Sequence, residues 1–252
     1  MNKFLITGIP RSGTTVFART LSKIDNIHVA NDQHDFYEPF KIMSNSLDLN
    51  PLPRLKELED NCRSNYFGFK SFPGDLLDLT KLILNDRYKT FAVIRKDIWK
   101  SIFSHAIART KLFRDNDNTA FKGSSKLYTE TLSASSISEL PPPLLRMFQD
   151  SFFARIKHAY EFETQYENTD VIYFEDLIKP NASFECVNNY FNKEVIFNLD
   201  YDDSADFTSY YNNFSPELLS SMCKHFIQTV NIPNDCPQYI KDSVYKYYIG
   251  DR

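Results

Sequence analysis

Lys3-Phe4-Leu5-Ile6-Thr7-Gly8-Ile9-Pro10-Arg11-Ser12-Gly13-Thr14-Thr15 is the stretch on which the fold turns. Lys3 to Thr7 form a short β-rich run that stops at Gly8, and Thr14 to Lys23 carry a helical pattern, so the reading is strand, tight loop, helix. Working outward, further β-rich runs stand at Tyr66–Phe69, Thr90–Ile94 and Asp170–Phe174, each followed by a helical pattern. Strands alternating with helices imply α/β architecture, a parallel sheet flanked by helices on both faces. At 252 residues the chain fits one domain, 1–252. A polar segment rich in Ser, Asn and Thr, around 113–143 and ending in three prolines, reads as a loop insertion, a lid or a surface excursion. Helical pattern returns over Leu144–Glu163, and Ser215-Pro216-Glu217 has the N-cap, first-turn proline and acidic first turn of another helix.

Composition narrows the function classes. The net charge of −4 with dispersed charges offers no basic face of the kind that binds nucleic acid, and disfavours a polyanionic acceptor. Four scattered cysteines without a Cys-x-x-Cys pair argue against a zinc site or a disulfide framework, and fit reduced thiols in a cytoplasm. No apolar run approaches the roughly 20 residues of a membrane span, and the residues ahead of the first motif are too few for a signal peptide. The sequons at Asn181 and Asn213 are read as chance. With 22 Phe and 15 Tyr, aromatics serve cores and pockets alike and favour no function alone.

Three motifs carry chemistry. Gly8 and Gly13, five apart between strand and helix, let backbone N–H groups curl around a phosphate while the helix N-terminus adds partial positive charge. The spacing is that of a Walker A loop, a P-loop-type element, but Thr14 stands where the Walker lysine would, and Arg11 is the cation within the loop. An ATP-using loop needs that lysine and a metal on its phosphates, so phosphoryl transfer is disfavoured. Second, Arg95 leaves the strand Phe91–Ile94 at its carboxyl end, where open α/β sheets bind ligands, and its fork suits a phosphate monoester. Ser101 and Ser104, three apart on the following helix, offer hydroxyls to complete that grip. Third, Asp170-Val171-Ile172-Tyr173-Phe174-Glu175-Asp176-Leu177 reads as a strand ending in acids, with Glu175 and Asp176 tying the turn to the next helix.

Pro10-Arg11-Ser12-Gly13-Thr14-Thr15 resembles the 5′-phosphosulfate loop of sulfotransferases that use 3′-phosphoadenosine 5′-phosphosulfate (PAPS). The Arg95…Ser stretch resembles their 3′-phosphate element, and Tyr173-Phe174-Glu175-Asp176-Leu177 resembles their late strand-turn, although a Walker B strand would look the same. The three occur in the family's order between Lys3 and Phe191. Arg95-x-Asp97-x6-Ser104 is similar to the bacterial carbohydrate enzymes, and Asp97-x3-Ser101 to the cytosolic small-molecule ones; Ser104 is preferred. The resemblance implies PAPS as co-substrate without a metal. It implies donor binding by Arg11, Ser12, Gly13, Thr14, Thr15, Arg95 and Ser104 or Ser101, and a small-molecule or carbohydrate acceptor. Lys70 matches the family's lysine at the end of the equivalent strand, where its ammonium would stabilise charge on the bridging oxygen. The basic C-terminal loop of many relatives has no match here beyond Lys246 and Gly250-Asp251-Arg252. A P-loop kinase or nucleotidase, and a non-catalytic nucleotide-binding protein, are the alternatives.

The family's Lys-x-His segment reads Phe69-Lys70-Ser71-Phe72-Pro73, without the histidine that serves as base in small-molecule members. Tyr37-Glu38-Pro39-Phe40 resembles the Glu-Pro segment of the carbohydrate enzymes, which makes Glu38 the base, with His34 and Asp35 as alternatives. A general base supplies roughly 10²- to 10⁴-fold, so Glu38→Gln should cut sulfuryl-transfer turnover by that factor at saturating donor while donor binding and folding are spared. A normal rate in Glu38→Gln with a loss in His34→Ala or Asp35→Asn, measured across pH, would move the base to that residue.

Overall fold

The computed structural model describes residues 1–9, 11–31, 51–72, 87–103, 136–140, 142–198, 214–230 and 232–248. His34, Asp35, Glu38 and Ser104, and the insertion up to residue 135, lie outside these. The chain divides into two compact units, the first of Met1–Arg95 with Glu161–Leu199, the second of Lys96–Tyr160 with Asp200–Arg252.

The first unit is built on a five-stranded, all-parallel sheet in the order β2-β3-β1-β4-β5. Its strands are β1 (Asn2–Gly8), β2 (Ile27–Val29), β3 (Tyr66–Lys70), β4 (Lys89–Ile94) and β5 (Thr169–Tyr173), with helices α1 (Thr14–Ser22) and α2 (Pro51–Asp60) between them. Helix α3 (Pro142–Thr164) leads into β5, and α4 (Phe174–Leu177) and α5 (Glu185–Phe191) follow it. The four strands expected from sequence are present. β2 was not foreseen, being three residues long with His28 exposed, too short for an alternation to register.

Both faces of the sheet are covered, as the parallel arrangement requires. Alternate residues of β1 go to opposite sides. Phe4 and Ile6 join Phe17, Ala18 and Leu21 of α1 and Val187 and Phe191 of α5, whereas Leu5 joins Phe67 and Phe69 of β3 with Leu55 of α2. Phe4 anchors the first layer, edge-on to Phe91 at 6.3 Å and to Phe191 at 5.2 Å between ring centroids.

The second unit gathers around fully buried Trp99. Residues 98–103 are helical, and α6 (Pro216–Ile227) and α7 (Gln238–Val244) complete it together with the first part of α3. The indole lies 5.1 Å from the ring of Phe152 and 6.0 Å from that of Phe226. Ser215 caps α6 as its sequence predicts, accepting a hydrogen bond from the Leu218 N–H at 3.0 Å, with Pro216 at the first position. Among the described residues no helix is long and apolar enough to cross a membrane. The cysteines are free thiols, and burial pushes that of Cys223 up to about 11, which keeps it protonated.

Phe4 pairs with Gly68 across β1 and β3, and a methyl group on Gly68 would lie 2.3 Å from its ring. Gly68→Ala should therefore destabilise the protein by about 1–3 kcal/mol through overpacking. Phe4→Leu in the same chain should relieve part of that loss, so urea midpoints of the two single variants and the double variant should be non-additive.

Candidate functional site

The carboxyl ends of β3, β1 and β4 lie side by side, and each delivers a residue singled out by the sequence: Lys70, the Gly8–Thr15 loop and Arg95. β1 has β3 on one side and β4 on the other, so the loop that follows it begins at the crevice where parallel sheets hold ligands.

The loop's geometry explains its two glycines. Gly8 has φ 151°, and a Cβ there would come within 2.3 Å of the Val93 carbonyl oxygen on β4. Gly13 has φ 90°, just before the first turn of α1, and its Cβ would come within 2.6 Å of the Phe174 ring. Between them Arg11 takes φ 72°, a left-handed conformation a non-glycine residue adopts at a cost of about 1–3 kcal/mol. Ser12 locks the turn: its backbone N–H and its hydroxyl both donate to the Ile9 carbonyl, at 3.1 and 2.6 Å. Its donors thus shape the loop from inside. Thr14 is buried at the start of α1 and Thr15 is half-buried beside it.

Lys70 is only 1% exposed, far from a plain surface lysine. β3 pairs with β1 in the register Ile6 to Lys70, and the ammonium donates to Thr15 Oγ1 at 2.7 Å. It also lies 5.2 Å from the ring centroid of Phe72.

Arg95 is 6% exposed, and its guanidinium carbon lies 4.8 Å from the centroid of the Phe174 ring. Phe174 follows β5, which pairs with β4 up to Ile94 and Tyr173, so the register brings the ring beside Arg95. The same ring walls Gly13, and one side chain therefore touches both the loop and Arg95. Sequence reasoning gave Phe174 no role, because it sits in a string whose acids drew the attention. Glu175 and Asp176 lie in the first turn of α4, where Asp176 accepts from Lys179 Nζ at 2.6 Å. That agrees with a turn-forming role.

The second unit holds the remaining described candidates. Ser101 is buried, and its hydroxyl accepts from Arg155 Nε at 2.8 Å while its carbonyl accepts from the same guanidinium at 3.2 Å. Arg155, 2% exposed, is a second residue that sequence reasoning passed over, since an arginine in a helical pattern looks like a solvated face. Asp97 caps the helix that follows it through the Lys100 N–H at 3.0 Å and pairs with Lys246 at 2.7 Å. Burial pulls the Lys246 ammonium down, and the hydrogen bond and charge of Asp97 outweigh it, leaving the pKa above the ordinary lysine value.

No family model matches the chain, and no curated protein matches it. The packing of Phe174 nevertheless makes its own prediction. Phe174→Leu keeps apolar volume against Gly13 and removes the aromatic face under Arg95, so stability should fall by less than about 1.5 kcal/mol. Affinity for adenosine 3′,5′-bisphosphate, the product the resemblance implies, should weaken about 2- to 30-fold by calorimetry. Unchanged affinity would remove Phe174 from the site.

Proposed function

We propose that the protein is a sulfotransferase that moves the sulfuryl group of PAPS to a hydroxyl or amine, on a small-molecule or carbohydrate acceptor. The observation that carries the reading is the meeting, at adjacent strand ends, of a phosphate-type loop lacking the Walker lysine with two buried cations supplied by neighbouring strands, Lys70 and Arg95. The residues fit such a donor chemically. The two buried cations answer a co-substrate that carries both a phosphosulfate and a 3′-phosphate.

In this reading the loop with Arg11 holds the phosphosulfate and Arg95 the 3′-phosphate. The acceptor oxygen bonds to sulfur as the sulfur–oxygen bond to the 5′-phosphate breaks, the acceptor's proton passes to Glu38, and adenosine 3′,5′-bisphosphate leaves. Charge builds on the bridging oxygen, where fixed cations act most strongly because they need no reorganisation. Phe72 at the histidine position favours a carboxylate base of the carbohydrate-enzyme type over an imidazole.

Adenosine 3′,5′-bisphosphate should bind far more tightly than ADP or ATP, since it alone offers the 3′-phosphate. Arg95→Ala should cost about 2–4 kcal/mol of that affinity, the scale for losing a buried charge partner. Arg11→Ala should instead depress turnover of PAPS more than product binding. Equal affinity for the three nucleotides in calorimetry, or ATP turnover with magnesium, would sink the reading in favour of a P-loop kinase or nucleotidase; tight binding with no sulfuryl transfer would mark a non-catalytic binder.

A further inference from the structure

Thr7 is fully buried on β1, and Ser71, just past the end of β3, is 2% exposed. Neither Thr7 Oγ1 nor Ser71 Oγ meets a hydrogen-bond partner among the described residues. The two are neighbours. β1 and β3 run parallel with Ile6 opposite Lys70, and the Ser71 N–H continues the ladder by donating to the Ile6 carbonyl at 3.0 Å, which makes Thr7 and Ser71 the next pair in register. Alternation sends them to the face opposite that of Ile6 and Lys70. Leu5 and Phe69, two residues earlier on each strand, mark that face, where they pack with Ala30 and with Leu55 of α2. Thr90, opposite Leu5 on β4, carries a third buried hydroxyl without a described partner on the same face, but toward the amino end of its strand.

A buried hydroxyl without a partner lowers stability, so a chain that keeps one either closes it with water or uses it on a ligand. The place of this pair favours a ligand. Thr7 precedes Gly8 and Ser71 follows Lys70, so both stand at the strand ends that bear the glycine loop and the buried lysine, on the other face of the sheet. The chain that carries Glu38 leaves β2 through Ala30, which packs in the same apolar cluster. A hydroxyl both donates and accepts, as an alcohol oxygen does, and two of them side by side match neighbouring hydroxyls of a polyol. We infer that Thr7 and Ser71 are specificity-determining residues for the acceptor, hydrogen-bonding the hydroxyls of a sugar or similar polyol that enters on the face opposite Lys70. The inference rests on the sulfotransferase reading and chooses between the acceptor classes it allows. A polyol satisfies the pair, whereas an apolar alcohol leaves buried oxygens unpaired and is rejected on that account.

The test compares Thr7→Val and Ser71→Ala with the wild-type full chain. Thermal melting without ligand should give each variant a Tm equal to or above that of wild type, since a buried oxygen without a partner has been removed. Saturation-transfer NMR and sulfuryl-transfer assays then use methyl β-D-galactopyranoside and methyl α-D-glucopyranoside as polyols and 4-nitrophenol as the apolar acceptor. Wild type should bind at least one glycoside and prefer it to 4-nitrophenol. Each variant should lose about 2- to 15-fold in glycoside affinity, the range for one neutral hydrogen bond, while affinity for adenosine 3′,5′-bisphosphate stays within about twofold. Thr90→Val should match the two variants in melting and leave glycoside affinity unchanged. No glycoside binding, a preference for 4-nitrophenol, wild-type glycoside affinity in either variant, or a lowered Tm that marks the hydroxyls as closed by structural water would overturn the inference. Glycoside binding that depends on Thr7 and Ser71, in a protein that neither binds adenosine 3′,5′-bisphosphate nor transfers sulfuryl groups, would keep the polyol site and remove the sulfotransferase reading. Sulfuryl transfer to 4-nitrophenol alone would do the reverse.

Discussion

The pairing of β1 with a parallel strand on each side is the constraint on which everything else depends. A strand hydrogen-bonded at both edges and buried on both faces must be apolar, and Phe4, Leu5 and Ile6 are. The same pairing leaves no space for a side chain at Gly8, where β4 presents the Val93 carbonyl oxygen. It also sets the register that puts Lys70 and Arg95 at the strand ends flanking the loop.

The site's electrostatics follow from that frame. Burying a lysine and an arginine is costly unless the surroundings compensate them. Here the compensation includes a hydroxyl for Lys70 and aromatic faces for both: Thr15, Phe72 and Phe174. Partners of this kind fix where each cation stands. Phe174 has a further function in the geometry, since one ring both supports Arg95 and limits Gly13 to a hydrogen at Cα.

The second unit obeys a different logic. Its core is organised by aromatic stacking around Trp99, and its buried arginine, Arg155, is spent on the Ser101 hydroxyl and on the carbonyls of Ser101 and Ser151. Lys246, the basic candidate in the C-terminal stretch, is engaged by Asp97. Asp97 thereby ties the helix start at 98–103 to the end of the chain.

Local chemistry written in a few consecutive residues was legible beforehand. The strands at 3–7, 66–69 and 90–94, a fourth that runs over 169–173 and gives way to a helix at Phe174, the strand–loop–helix with its two glycines, and the Ser215-Pro216 helix start each depend on neighbours in sequence, and each is present in the fold. Lys70 and Arg95 were legible as cations at strand ends because a strand's carboxyl end is readable from its own pattern. Partnerships were not. That Lys70 donates to Thr15, that Phe174 supports Arg95 and walls Gly13, and that Arg155 holds Ser101 are contacts between residues 54 to 161 positions apart. The sequence alone determined which residue types stand at each strand end; strand order, parallel register and helix packing decided which of them meet, because side-chain contacts across a sheet are set by neighbours in space, about which local periodicity is silent.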